Sequence, residues 1–262
     1  MNMNMNMNKN ILIFLGLFAA APLPLLASVD VKASNPSLDE SVEAFSSYVL
    51  YHWNKDKKLS EYQPPQIITN ISPDTKVLGA CVSTYNGRSA TDVGGTSYCS
   101  TSNTIYIVQN QIAPLYKHFG PAAVAYIIAH EYGHYIQSVF AIPYVRTVSE
   151  LQADCLSGAI LGQGANVLGI TSGDIINMAE AAYTIGSTSH GSGAQRAYAV
   201  YAGFGLSSEL SCSSTDMQKL AASNIKDPMF TKLSSRRGVS AVDSDQPQIH
   251  LRSISGSLLG SP

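Results

Sequence analysis

The sequence predicts an α+β protein, mainly helical, with a small antiparallel sheet beside one central helix. Three observations predict it. Short β-rich runs bounded by Pro, Asn and Asp occur at Gln66 to Ile71 and Lys76 to Ser83, and a clearer one at Asn103 to Gln109. From Pro121 onward small and apolar residues recur at helical spacing instead. The 262 residues are 45% hydrophobic and only 13% charged, so one domain with a substantial core is expected and wholesale disorder is not.

The first element is a leader. A Met-Asn repeat ending in Lys9 and Asn10 precedes an apolar run from Ile11 to Ala21, followed by Pro22, Leu23, Pro24, Leu25, Leu26 and Ala27. The run has the length of a signal-peptide core, and its prolines break it before it can span a bilayer as a helix. The expected plan is a secretion signal and leader over residues 1–33, a folded domain over 34–225 and a disordered tail over 226–262. Cleavage is expected after Ala27 or Ala33, an uncleaved anchor being the alternative. A secreted or periplasmic location follows, with no membrane contact once the signal is cleaved.

Ser37-Leu38-Asp39-Glu40 has the form of a capping box, and Val42, Phe45, Val49 and Trp53 follow at helical spacing. That helix is expected to end between Lys57 and Ser60. After the first two strands, residues 84–103 are rich in Gly, Ser and Thr and read as a loop leading into the strand Asn103 to Gln109. A helix is predicted from Pro121 to about Phe140, a second from Pro143 to about Gly162, and a third from Ser172 or Asp174 to Gly186. A fourth covers Ser192 to Phe204, with a weaker one over Ser208 to Ser223. Beyond Lys226 no periodicity remains.

Cys81, Cys99, Cys155 and Cys212 suit an oxidising compartment. Cys81 and Cys99 flank the Gly/Ser/Thr-rich stretch and could staple it, leaving Cys155 for Cys212, although four cysteines allow three pairings. The net charge of −2 provides no basic footprint for phosphate backbones, so nucleic acid is excluded as a partner.

Within the helix predicted around 121–140 lies His130-Glu131-Tyr132-Gly133-His134. Histidines at i and i+4 share one helical face and can reach one zinc ion. Glu131 lies about 100° around the helix, beside the metal, where it can take a proton from water. Downstream, Glu150 and Asp154 also share a face, and either carboxylate could be the third ligand. Three protein ligands plus water is the arrangement of a catalytic zinc. The strand Thr104 to Gln109 is the expected track for an extended peptide substrate.

HEYGHYIQ, ELQADC and HGSGAQR, taken in that order with SYCSTSNTIYIVQ and FGPAAVAYIIAHE upstream, resemble the bacterial neutral zinc metallopeptidases of the gluzincin type, over roughly residues 77 to 205. The resemblance implies a zincin-like domain that binds one zinc through His130, His134 and Glu150, with Glu131 as general base. It also implies that Asp154 accepts a hydrogen bond from a ligand imidazole, that of His130 first. Tyr135 stands where the family often has His, and Ser157 where it often has Ala. Neither touches a proposed ligand.

His190 is the candidate for stabilising the oxyanion of the transition state, the alternative being a surface histidine in a glycine loop. Arg196 is expected to pair with a carboxylate or brace that loop. His52, His118 and His250 read as surface or packing residues. The expected activity is zinc-dependent hydrolysis of a peptide or protein substrate. The alternative is a zinc-binding but inactive peptidase-fold protein, which leaves Glu131 without a role. A carboxylate-bridged di-iron bundle is disfavoured, because the E-x-x-H pair occurs only once, at Glu131 and His134. Substrate, cleavage preference and oligomeric state are left open.

Overall fold

A computed structural model describes residues 36–71, 84–85, 88–89 and 95–236. The expected leader, the strand over Lys76 to Ser83, Cys81, His250 and the tail from residue 237 lie outside them. In chain order the elements are α1 (Leu38–Lys55), a 3-10 turn (Leu59–Glu61), β1 (Gln66–Ile68), β2 (Thr84–Tyr85), β3 (Arg88–Ser89), β4 (Ser97–Cys99), β5 (Thr104–Tyr106), α2 (Gln109–Phe119), α3 (Pro121–Val139), α4 (Arg146–Gln163), α5 (Ala165–Leu168), α6 (Ser172–Thr184), α7 (Gly193–Gly203), α8 (Ser214–Ala221) and α9 (Pro228–Ser234). The α+β expectation holds. None of the described helices is long and apolar enough to cross a membrane.

The helix starts follow local chemistry. Ser37 and Glu40 close the capping box of α1, and Thr171 with Asp174 does the same for α6. Pro121 opens α3 at its first position, where a missing N–H costs nothing. Gly120 before it has φ +65, which side chains beyond glycine rarely adopt. It lets α2 end and α3 begin within one residue. The sequence marks α2 only as a helix-like segment ending at His118, because Pro114 inside it forfeits one backbone bond.

The sheet is mixed, which corrects the expectation of an antiparallel one. Its order is β1-β5-β4, with β1 parallel to β5 and β4 antiparallel to it. The tight turn between β4 and β5 dictates antiparallel pairing, whereas the long connection from β1 permits the parallel one. The expected loop over 84–103 contains three of the short strands. Of these β4 is wholly buried, so packing overrides the weak strand propensity of its Ser. The strand expected to reach Gln109 stops at Tyr106, as α2 begins at Gln109. The helix expected from Pro143 begins at Arg146, and that expected from Ser208 at Ser214.

The expected disordered tail also needs correction at its start. Asp227 caps α9 and Pro228 opens it, while Phe230 and Leu233, three apart, are buried. The Phe230 ring lies 5.4 Å from that of Tyr198 on α7.

α3 is the axis of the core, buried from Ala122 to Tyr135. α1, α2, α4 and α6 pack around it, and β4 lies against it. Cys155 of α4 and Cys212 before α8 are joined by a disulfide.

Candidate metal centre

α3 and α4 approach so closely because Gly133 faces Ala153. A Cβ at 133 would lie 3.0 Å from the Ala153 carbonyl oxygen and 3.1 Å from its Cα. This contact brings the carboxylates of α4 onto the histidines of α3. The three atoms His130 Nε2, His134 Nε2 and Glu150 Oε2 then form a triangle. Its edges are 3.2 Å between the histidines and 3.4 and 3.6 Å from Glu150 to His130 and His134. A tetrahedral zinc about 2.05 Å from each ligand would separate them by roughly 3.3 Å. Among the described residues this trio is the group able to hold a metal ion.

The donor chemistry fits as well as the spacing. His130 Nδ1 lies 2.8 Å from Asp154 Oδ1 and His134 Nδ1 lies 2.8 Å from Gln137 Oε1. A carboxylate and an amide oxygen only accept, so both Nδ1 atoms donate and both Nε2 atoms turn lone pairs toward each other. Glu150 adds a third electron-rich atom. Both its oxygens are buried without a hydrogen-bond partner among the described residues, which is costly unless a cation satisfies them. Where no metal is bound, a proton takes that part. Burial alone would lower His130, but the charge and hydrogen bond of Asp154, with Glu150, push it up to about 9. His134 is raised despite its burial, chiefly by Glu150. Glu150 is itself held well below the carboxylate range by the two imidazoles, against the opposing effect of burial.

Asp154 is the hub behind His130. Arg196 grips it through Nε at 2.8 Å to Oδ2 and Nη2 at 2.8 Å to Oδ1, while Tyr126 donates to Oδ1 at 2.6 Å. All four residues are buried, and Arg196 keeps Asp154 ionised although burial opposes it. Arg196 therefore pairs with a carboxylate, as one of its two expected roles required. Glu131 is buried next to the trio, and its Oε2 accepts from the Tyr98 backbone N–H of β4 at 2.8 Å. Burial raises its carboxyl above the ordinary range.

His190 lies outside the trio, in the loop between α6 and α7. Its Nδ1 is 2.7 Å from Ser189 Oγ and 3.0 Å from Ser187 Oγ. The loop is pinned near the start of α4, where Thr147 Oγ1 meets Ser189 O at 3.5 Å. Gly191, at φ +99, leaves no room for a Cβ beside Leu151. The rest of that motif builds helix α7: Ser192 and Gln195 form its capping box, and Gln195 Nε2 also donates to the Leu220 carbonyl at 2.9 Å.

Sequence reasoning missed four contributors: Tyr126, Gln137, Gln152 and the Tyr98 backbone amide. Gln137 and Gln152 lie inside the quoted motifs, Gln137 three residues after His134. Tyr126 lies one turn before His130 on the same face. Only Tyr98 carries no signal, because a backbone N–H has none. The expected substrate track also needs correction. β5 is the middle strand, with both sides paired, and the strand beside Glu131 is β4.

No protein-family model matches the chain, and no solved structure matches it. Curated relatives do. An uncharacterized protein of Mycobacterium tuberculosis (strain ATCC 25618 / H37Rv) is 32% identical over 103 residues, covering 33% of this chain and 34% of the relative. The uncharacterized protein YpfJ of Escherichia coli (strain K12) is 26% identical over 195 residues, 62% of each chain. The chain thus spans about a third of the length of the first relative and less than two thirds of the second.

Proposed function

We propose that this protein is an exported zinc-dependent peptidase, with zinc held by His130, His134 and Glu150 and with Glu131 as the general base. The observation that carries the reading is the convergence of three buried electron-rich atoms, one with no hydrogen-bond partner among the described residues, beside the buried carboxylate of Glu131. Bound there, zinc would polarise a peptide carbonyl and acidify a water in its remaining position.

The chain's own groups do the rest. Glu131 Oε2 is committed to the Tyr98 N–H, so Oε1 is assigned to take the proton from water and deliver it to the leaving amine. The raised Glu131 carboxyl suits a base that must also release its proton near neutrality. An extended substrate is assigned to the side of β4, in place of the buried strand β5. His190 keeps its assignment as the group aimed at the oxyanion, on a loop anchored beside the helix turn that carries Glu150.

The test pairs the wild type with Glu131→Gln. Zinc per chain and cleavage of an unstructured protein such as casein are measured with and without a chelator. One zinc in both, with chelator-sensitive cleavage reduced by about 10²–10⁴ in the variant, is expected. One zinc and no cleavage by the wild type on several substrates would favour an inactive binding protein. Absence of zinc would sink the reading.

A further inference from the structure

His134 differs from His130 in what stands behind it. Its Nδ1 faces a neutral amide, and an amide can turn either end toward an imidazole. Turned the wrong way, Gln137 would present N–H groups, and His134 would keep its proton on Nε2, the atom aimed at the metal. The structure removes that freedom through a chain of neighbours. Gln137 Nε2 donates to the Ser149 carbonyl at 2.7 Å and to Gln152 Oε1 at 3.1 Å. Gln152 can offer that oxygen because its own Nε2 donates to the Cys212 carbonyl at 2.9 Å. Backbone carbonyls can only accept, so the two at Ser149 and Cys212 fix the direction of every bond between them. Cys212 is in turn held to α4 by its disulfide with Cys155.

We propose that Gln152 is a positioning residue for the metal centre, acting through Gln137 to hold His134 with Nδ1 protonated and Nε2 open to the metal. The assignment rests on the zinc reading above, because it concerns a ligand of that site. Gln152 touches neither metal nor substrate. Its effect is carried by the polarity of the amide chain, which a purely structural residue would not set. Gln137, which bonds His134 directly, shares the role.

The experiment is a zinc competition titration of the full chain against a chromophoric chelator. It compares wild type, Gln152→Met and Gln137→Met, with circular dichroism recording that each is folded. Both methionine variants should bind zinc ~10-fold or more weakly, the scale found for groups that orient metal ligands. The visible spectrum of the cobalt(II) form should likewise shift in both methionine variants. Equal zinc affinity in wild type and Gln152→Met would overturn the assignment. So would a cobalt(II) spectrum of Gln152→Met identical to wild type, since the surroundings of the ion would then be intact and weaker binding would reflect packing alone. A wild type that takes up no zinc would instead remove the metal centre itself.

Discussion

The two histidines of the candidate metal centre sit one turn apart on the same helix, yet their surroundings are built on opposite principles. Behind His130 stands a charged assembly, Asp154 clasped by Arg196 and Tyr126, in which the residues are buried. Behind His134 stands a neutral one, the amides of Gln137 and Gln152 leading to backbone carbonyls. His130 has no exposed surface, whereas His134 retains 8%. Both arrangements supply an acceptor for Nδ1–H. The difference teaches what each acceptor needs: the carboxylate behind His130 is answered by a buried cation, Arg196. No ion pair reaches Gln137 among the described residues, and an amide does the work there without a charge to neutralise.

The sharpest way to break this comparison is to remove the charge on one side and the amide on the other. Asp154→Asn leaves the Arg196 guanidinium buried without its partner and should cost about 3–5 kcal/mol, whereas Gln137→Met should cost about 1 kcal/mol. Urea unfolding of the two metal-free variants measures both. Similar losses would show that the two sides are energetically alike.

A smaller effect is expected at the contact that both sides share. Gly133→Ala forces the α3–α4 interface apart by a few tenths of an ångström, since the new Cβ meets the Ala153 backbone at 3.0 and 3.1 Å. A loss of about 1–3 kcal/mol is expected, with weaker zinc binding because Glu150 and Asp154 retreat together. An unchanged melting temperature and zinc affinity would show that the interface can relax.

The smallest effect is in protons. His130 without metal holds its proton up to about pH 9, so zinc must displace it at any pH below that, and affinity rises with pH through this window. About one proton should be released per zinc at pH 7.5. In Asp154→Asn the charge and hydrogen bond that hold this proton are lost and burial opposes it, so fewer protons should be released at the same pH. Calorimetry in two buffers of different ionisation enthalpy counts the protons. Equal counts in wild type and variant would detach His130 from Asp154.

Much of this centre was legible in the sequence, for identifiable reasons. Helical periodicity puts His130 and His134 on one face without help from tertiary structure, and the capping boxes at Ser37 and Ser192 name their own helix starts. The choice between Glu150 and Asp154 was left open by spacing. The structure distinguishes them through what lies across the interface: Glu150 meets the two Nε2 atoms, and Asp154 meets a Nδ1 atom and a guanidinium. What the sequence hid was either backbone or long-range. The Tyr98 amide has no letter of its own. β4 hides in a Ser/Thr-rich stretch because its strand character comes from burial, and α9 hides in a polar segment that only two apolar residues tie to the core.

The buried residues around the metal position also define a sum. Glu131, Glu150 and Asp154 bring three negative charges and Arg196 one positive, while the two imidazoles are neutral when they act as ligands. With all three acids ionised, this group of described residues is two charges short of neutrality. A divalent cation closes that deficit, whereas a monovalent or trivalent ion would leave a unit of charge in a medium that screens it poorly. On the proposed metal reading, the count of acids and bases around the site favours a divalent ion before any question of size or softness arises. A proton passed from water to Glu131 moves within that closed total and leaves it unchanged.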